Sequence, residues 1–185
     1  MANKVEFGIS NLHVGTYTVG TTGSVTMGTP YHQAGAKSFS PEEQSEANTF
    51  YADNIPYWVG YTSGTFEGDL EVAKFDDQFK TQFLGYLSKS DGGLAVVKNA
   101  VRPKVYIAFQ VEGDTESRRV IMYNCALGGI NRSFNTEEDS IEPDTETIAV
   151  TVSGDNATGV SMVSYAQGAT GYSTLFTSPP APTTT

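Results

Sequence analysis

The chain has 185 residues, which at roughly 100–200 residues per domain makes one domain with room for an appendage. Against 21 Asp plus Glu stand 11 Lys plus Arg, a net charge of −10 whose largest basic cluster is Arg118-Arg119; such a surface repels phosphate and argues against ordinary nucleic-acid binding. The single cysteine, Cys125, excludes an internal disulfide and a Cys-rich zinc site, and fits a reducing compartment.

Hydrophobic residues make up 38% of the chain, below the roughly 45–50% of an average globular protein but enough for one packed core. The 10 Phe, 10 Tyr and Trp58, with many Val, Thr and Gly, suit half-buried pleated surfaces, so a mainly β fold is expected. Residues 1–7 hold no apolar stretch of signal-peptide length, and no window approaches the roughly 20 apolar residues of a membrane span. Synthesis and folding in the cytoplasm are expected.

Val5, Phe7 and Ile9 alternate with polar or small residues, which predicts a strand near residues 4–10. From Leu12 to Met27, Val14, Tyr17, Val19 and Val25 are interrupted by Gly15, Gly20 and Gly23, a pattern for a strand pair with a loose connection. Residues 41–63 carry Glu42, Glu43 and Glu46, then the cluster Phe50, Tyr51, Tyr57, Trp58 and Tyr61. Two readings stand side by side: a hairpin whose aromatics pack on its own core, or a projecting loop that sets them on another subunit.

Gly64 to Ala73 alternates with Phe66, Leu70 and Val72 as the inward set. The period then changes: Phe75, Phe79, Phe83 and Leu87 recur every four residues and predict one amphipathic helix of about three turns, its stripe a core face. Asp76 or Asp77 stands where an N-cap carboxylate accepts bonds from free backbone N–H groups. Ser90-Asp91-Gly92-Gly93 is a turn.

Val101 to Val111 alternates through Val105, Ile107 and Phe109, Glu112-Gly113-Asp114 turns the chain, and Val120, Met122 and Tyr123 begin a second run, which together predict a hairpin over 103–132. Arg118 and Arg119 beside Glu112, Asp114 and Glu116 read as cross-strand charge pairs. Residues 137–146 contain six carboxylates, Glu137, Glu138, Asp139, Glu142, Asp144 and Glu146, ordinarily a solvated face, and a strand over Thr147 to Val152 follows. From Asn156 on no residue is charged, and Gly, Ser, Thr, Ala and Pro dominate; this is a linker or tail, but Met162, Val163, Tyr165, Tyr172, Leu175 and Phe176 are stickier than a solvated tail requires.

Chemical motifs are sparse. His13 and His32 lie in no zinc-protease spacing, Cys125 sits in an apolar run where a thiol behaves as a small hydrophobe, and no phosphate-binding glycine loop, dinucleotide fingerprint or calcium loop occurs. No catalytic residue, cofactor or metal is expected. Paired carboxylates alone leave a small hydrolase as a remote reading, and the Tyr/Trp set leaves a monomeric β-sandwich carbohydrate- or receptor-binding module.

Four segments in order carry a more specific signal: Asn48-Thr49-Phe50-Tyr51-Ala52-Asp53-Asn54, Gly68-Asp69-Leu70-Glu71-Val72 before the Phe75 helix, Arg118-Arg119-Val120-Ile121-Met122-Tyr123-Asn124-Cys125, and Ser140-Ile141-Glu142-Pro143-Asp144-Thr145-Glu146-Thr147. Over about residues 3–153 the chain resembles the major tail protein (tail tube) family of long, non-contractile-tailed bacteriophages. The resemblance implies a mainly β, β-sandwich or tube-type domain over 1–153 with one flanking helix, a long loop and terminal arms; residues 154–185, uncharged after Asp155 and less typical of the family, are expected to be a Gly/Ser/Thr/Pro-rich C-terminal arm or tail. It further implies a virion tail subunit, made in the host cytoplasm, that assembles with itself into stacked hexameric rings. Tape measure, tail terminator and distal tail proteins are the implied partners, and DNA passes down the tube without being bound. On that reading Glu112, Asp114, Glu116, Glu137, Glu138, Asp139 and Glu142 are candidates to line an acidic bore, or else face outward for solubility. Phe50, Tyr51, Tyr57 and Trp58 are candidates for contact between subunits or rings. The tube of a contractile injection system is the structural alternative.

Overall fold

The computed structural model describes residues 8–132 and 143–184. Twelve strands and two helices follow in order: β1 (Ile9–Val19), β2 (Val25–Met27), β3 (Tyr31–His32), β4 (Ala36–Phe39), β5 (Glu42–Ala52), β6 (Ile55–Val72), α1 (Asp77–Leu84), β7 (Leu87–Ser88), β8 (Leu94–Ala95), β9 (Val105–Val111), β10 (Arg119–Arg132), β11 (Glu146–Val152), β12 (Met162–Tyr165) and α2 (Thr170–Thr174). Ten of the strands form one antiparallel sheet in the order β2-β1-β9-β10-β11-β6-β4, with β3 beside β1, β5 beside β6 and β12 beside β10. The expected mainly β architecture is present.

The sheet folds over on itself, so that β4 packs against β1 and the Phe39 ring meets Phe109 edge-on at 5.7 Å between centroids. Bulges supply the bends. Asn11 and Asn124 take positive φ (51° and 54°) where β1 and β10 shift register, a conformation Asn tolerates better than other side chains. The extra residue in β1 moves Leu12 and Val14 onto the inner face, and Tyr17 onto the outer one. Of the strand expected near 4–10, residues 1–7 lie outside the described residues; the strand described begins at Ile9. The expected strand pair over 12–27 is the antiparallel β1–β2 hairpin.

Inside the fold lie Leu12, Val14, Leu70, Val72, Ile107, Met122, Ile148 and Val150, closed off by Phe75, Phe79, Phe83 and Leu84 of α1 and its approach. Phe75 and Phe79 stack with ring centres 4.7 Å apart, and Phe79 and Phe83 meet tilted at 5.1 Å. The helix stops at Leu84 because Gly85 adopts φ 69° and its N–H turns back to the Lys80 carbonyl. Leu87 therefore falls beyond the helix, on β7, and is 57% exposed, which corrects its place on the core stripe. Asp76 occupies the N-cap position but makes no capping bond; its Oδ2 accepts from the Tyr31 hydroxyl at 2.9 Å instead.

Strands β9 and β10 are covered on both faces, which is why Val105 to Phe109 is a continuous buried run rather than an alternating one. The hairpin expected over 103–132 is present, but Val101 is not part of it. On the outer face Tyr106, Ala108, Ile121 and Tyr123 are buried with Leu175, beneath the chain's own C-terminal segment. β12 pairs with Arg119 to Met122. The tyrosine hydroxyls that reach this layer are satisfied: Tyr17 donates to Asp155 Oδ1 at 2.6 Å, Tyr123 to the Pro180 carbonyl at 3.0 Å and Tyr106 to the Gly28 carbonyl at 2.8 Å. Burial pushes all three phenols up.

Candidate assembly surfaces

Over residues 45–63, β5 and β6 leave the body as a two-stranded ribbon. The register pairs Phe50 with Trp58, Thr49 with Val59 and Ala47 with Tyr61, and a two-residue turn, Asp53-Asn54, closes it with φ 51° and 63°. Consecutive strand residues face opposite sides, so apolar groups occur on both faces. Tyr57 is 74% and Trp58 58% exposed, and Phe50, Tyr51, Ile55, Val59 and Tyr61 are exposed too. The Trp58 indole lies across Gly60, where any Cβ would overlap the ring. Of the two readings of this segment, the hairpin forms and it projects; its aromatics do not pack on the chain's own core. An isolated two-stranded ribbon is marginal in water, and an apolar patch of this kind on a single chain marks an interaction surface.

A second surface is electrostatic. The inward set Phe66, Leu70 and Val72 of β6 leaves Glu67, Asp69 and Glu71 on the opposite face, across from Thr151, Ala149 and Thr147 of β11. On the other side Glu42 stands directly opposite Glu67. Like charges so placed are unfavourable, and the small neutral partners on β11 do not offset them. Glu71 is the exception: Lys37 Nζ donates to it at 2.8 Å and the Thr145 hydroxyl at 2.5 Å, and these bonds hold its carboxyl below the usual range. The sequence signal was available, because an inward alternation implies an outward one, yet these acids were not among the expected bore residues.

The expected acids are placed differently. Glu112 accepts from the Ser10 hydroxyl. Asp114 accepts from the backbone N–H groups of Glu116 and Arg118 at 3.3 and 3.2 Å, and Glu116 accepts from Arg118 Nη2 at 3.0 Å, so the turn binds much of its own charge. Glu137, Glu138, Asp139 and Glu142 lie outside the described residues. Glu146, expected on a solvated face, is buried: it accepts from the Phe75 N–H at 2.8 Å and pairs with Lys80 Nζ at 3.5 Å and Arg132 Nε at 3.3 Å, tying the start of α1 to β11. Lys80 is itself buried within the helix's apolar side, a placement its neighbours in sequence do not announce.

Among the described residues, Arg119 does not pair with a carboxylate as expected. Its guanidinium lies 4.0 Å from the Tyr172 ring centre and 4.5 Å from that of Phe176, and donates to the Tyr172 carbonyl at 2.6 Å. His13 also stacks on Phe176, at 4.6 Å, with His32 5.0 Å from His13. Burial foremost, then the nearby His32 and Arg119, hold the His13 imidazole below its ordinary value against the bond to the Asn11 carbonyl, which raises it. Cys125 is fully buried with its thiol pushed up by burial, as befits a core residue.

With the body, ribbon and acidic stripe in view, comparison with known proteins is specific. Residues 2–161 match the family described as phage tail tube protein. This chain belongs to that family. It is thus a structural virion protein of the tail tube and not an enzyme. Among solved structures it is similar to the extracellular contractile injection system PVC sheath–tube complex in its extended state, at 12% identity and TM-score 0.50, covering 84% of this chain and 88% of that one. It is also similar to the anti-feeding prophage cap (AFP tube terminating cap), at 12% identity and TM-score 0.51, covering 88% and 93%. At that identity the likeness is one of fold. No curated protein matches the chain. Among the described residues, no helix of this tail tube protein is long and apolar enough to cross a membrane.

Proposed function

We propose that this protein is the major tube subunit of a long, non-contractile phage tail, and that copies form stacked six-membered rings around a channel for DNA. The observation that carries the reading is the β5–β6 ribbon, whose two faces expose aromatics that nothing among the described residues covers. A subunit built to be covered by its neighbours has this form; a monomeric carbohydrate- or receptor-binding module does not need both faces of one ribbon apolar. Tape measure, terminator and distal tail proteins are the partners at the tube's ends.

The bore is acidic on this reading. Six copies at −10 each bring about −60 of formal charge, and phosphates within a Debye length of roughly 8 Å are repelled. The stripe Glu42, Glu67 and Asp69 faces the channel, a role that accounts for keeping two glutamates opposite one another at a cost in stability. The Glu112, Asp114 and Glu116 turn and the 137–142 run remain the other candidates for this lining.

Electron microscopy across increasing concentration, with light scattering on the same samples, tests the reading. Rings or tubes with six-fold symmetry and an acidic axial channel are expected. A neutral or basic bore overturns the lining; a monomer that persists on co-expression with tail-tip proteins overturns the tube subunit. The fold likeness favours one second reading, the tube of a contractile system. Assembly that requires a sheath protein distinguishes it.

A further inference from the structure

Two exposed apolar surfaces of this chain carry opposite charge. Residues 42–63, the ribbon, hold Glu42, Glu43, Glu46 and Asp53 and no Lys or Arg. Residues 86–104 hold Lys89, Lys98, Arg102 and Lys104 against Asp91 alone, in a chain whose acids outnumber its bases 21 to 11. In this basic segment Val101 is 92% exposed, and Leu87, Val96 and Val97 are exposed beside it. Among the described residues, no carboxylate lies within ion-pair distance of Lys89, Lys98 or Lys104.

The aromatic end of the ribbon lies well away from the basic segment. β6 runs from the ribbon tip to Val72, 18 residues that at about 3.3 Å each span on the order of 55–60 Å. α1 and the basic segment follow its far end. Arg102 Nη1 donates to the Leu127 carbonyl at 3.1 Å, in the row that crosses Val150 to Gly68, and from Gly68 to Trp58 the strand runs on the order of 30–35 Å further toward the tip. Trp58 of one copy does not reach its own basic segment.

We propose that the acidic aromatic ribbon of one copy docks on the basic, apolar 86–104 segment of the next copy. Phe50 and Trp58, paired on one face of the ribbon, pack against Leu87, Val96 and Val101, while Lys89 and Lys98 meet Glu46 of that same face at the rim, the apolar centre and charged border usual of a protein interface. The inference rests on the tube reading and deepens it: a contact between two different patches is heterologous, the kind that closes into rings or extends as a filament. Ribbon-to-ribbon pairing is disfavoured, because it brings together two surfaces of the same sign.

Cross-linking tests the pairing, and the fully buried Cys125 leaves the background silent. Tyr57→Cys and Val101→Cys are made separately in the full chain, mixed in equal amounts, and treated with a short bifunctional maleimide, with micrographs of the same samples. A cross-linked species containing one of each variant, absent from either variant alone, is expected. Lys89→Glu with Lys98→Glu on the Val101→Cys chain should abolish it, and Glu46→Lys on the Tyr57→Cys chain should restore it. All three sites are exposed, so the folds survive. Self-cross-linking of Tyr57→Cys alone overturns the proposal in favour of a symmetric ribbon contact; failure of the charge swap to restore the product overturns the rim pairing. Tubes without the mixed product overturn the docking and leave the tube reading standing, whereas neither tubes nor product, on co-expression with tail-tip proteins as well, overturns both.

Discussion

The β9–β10 hairpin and the β5–β6 ribbon are built alike, as long antiparallel strands rich in aromatic residues, yet Tyr106, Phe109 and Tyr123 are buried whereas Phe50, Tyr57 and Trp58 are exposed. The difference lies in cover rather than in strand propensity. The first hairpin has α1 and the folded sheet on one side and the C-terminal segment on the other. The ribbon extends past all of these. A chain that buries one pair of aromatic strands twice over and leaves another bare divides its apolar surface between folding and assembly.

Substitutions in the body sharpen that division. Phe79→Ala should cost about 3–5 kcal/mol in urea unfolding, because the ring is fully buried between Phe75 and Phe83. A loss near zero would show that α1 does not close the core. Glu146→Ala should cost about 3 kcal/mol, since it leaves buried Lys80 without its nearest carboxylate and the Phe75 N–H without an acceptor. Leu175→Ala, at the centre of the C-terminal cover, should cost about 2–3 kcal/mol. If it costs as little as a surface change, the segment is an attachment rather than part of the fold.

The cover should also respond to pH. With the His13 value lowered in the folded state, the unfolded state binds more protons below its ordinary value of about 6.5, so stability is full above that pH and falls as pH drops through it. Asp155 acts in a separate window. Burial raises its carboxyl, but bonds from Tyr17 and Thr158 outweigh this and hold it low, so its contribution persists until pH falls below about 4. Hydrogen exchange over residues 162–176 should therefore quicken between pH 7 and 5.5, beyond the intrinsic rate change, and His13→Gln should remove that step.

The ribbon should show the opposite behaviour to the body. Trp58→Ala is expected to change unfolding free energy by less than about 0.5 kcal/mol and to abolish tube formation in micrographs. A variant that unfolds, or one that assembles normally, breaks the comparison from which the assembly role is argued.

Much of this division is legible in the residues themselves. The inward set Phe66, Leu70 and Val72, the Phe75, Phe79 and Phe83 stripe, the hairpin over 103–132 and the strand after Glu146 all follow from periodicity. Asp53-Asn54 is a turn signal that could have marked the ribbon tip, and Glu67, Asp69 and Glu71 follow from the inward set by alternation. Leu87 had the right spacing but lay past Gly85, whose left-handed φ ends the helix. Composition marked residues after 156 as an arm, while its aromatics were the trace of the surface it covers.

By itself, then, the sequence determined most of the longer strands and the inward set of β6, because period and turn chemistry act between near neighbours. Only the tertiary structure decided which apolar faces are covered, since that depends on groups remote along the chain: Tyr17 is held by Asp155, 138 residues away, and Phe75 by Glu146, 71 away. No local pattern distinguishes a strand that will be roofed by its own C-terminal segment from one that reaches beyond every other described element, and that reach leaves Trp58 exposed.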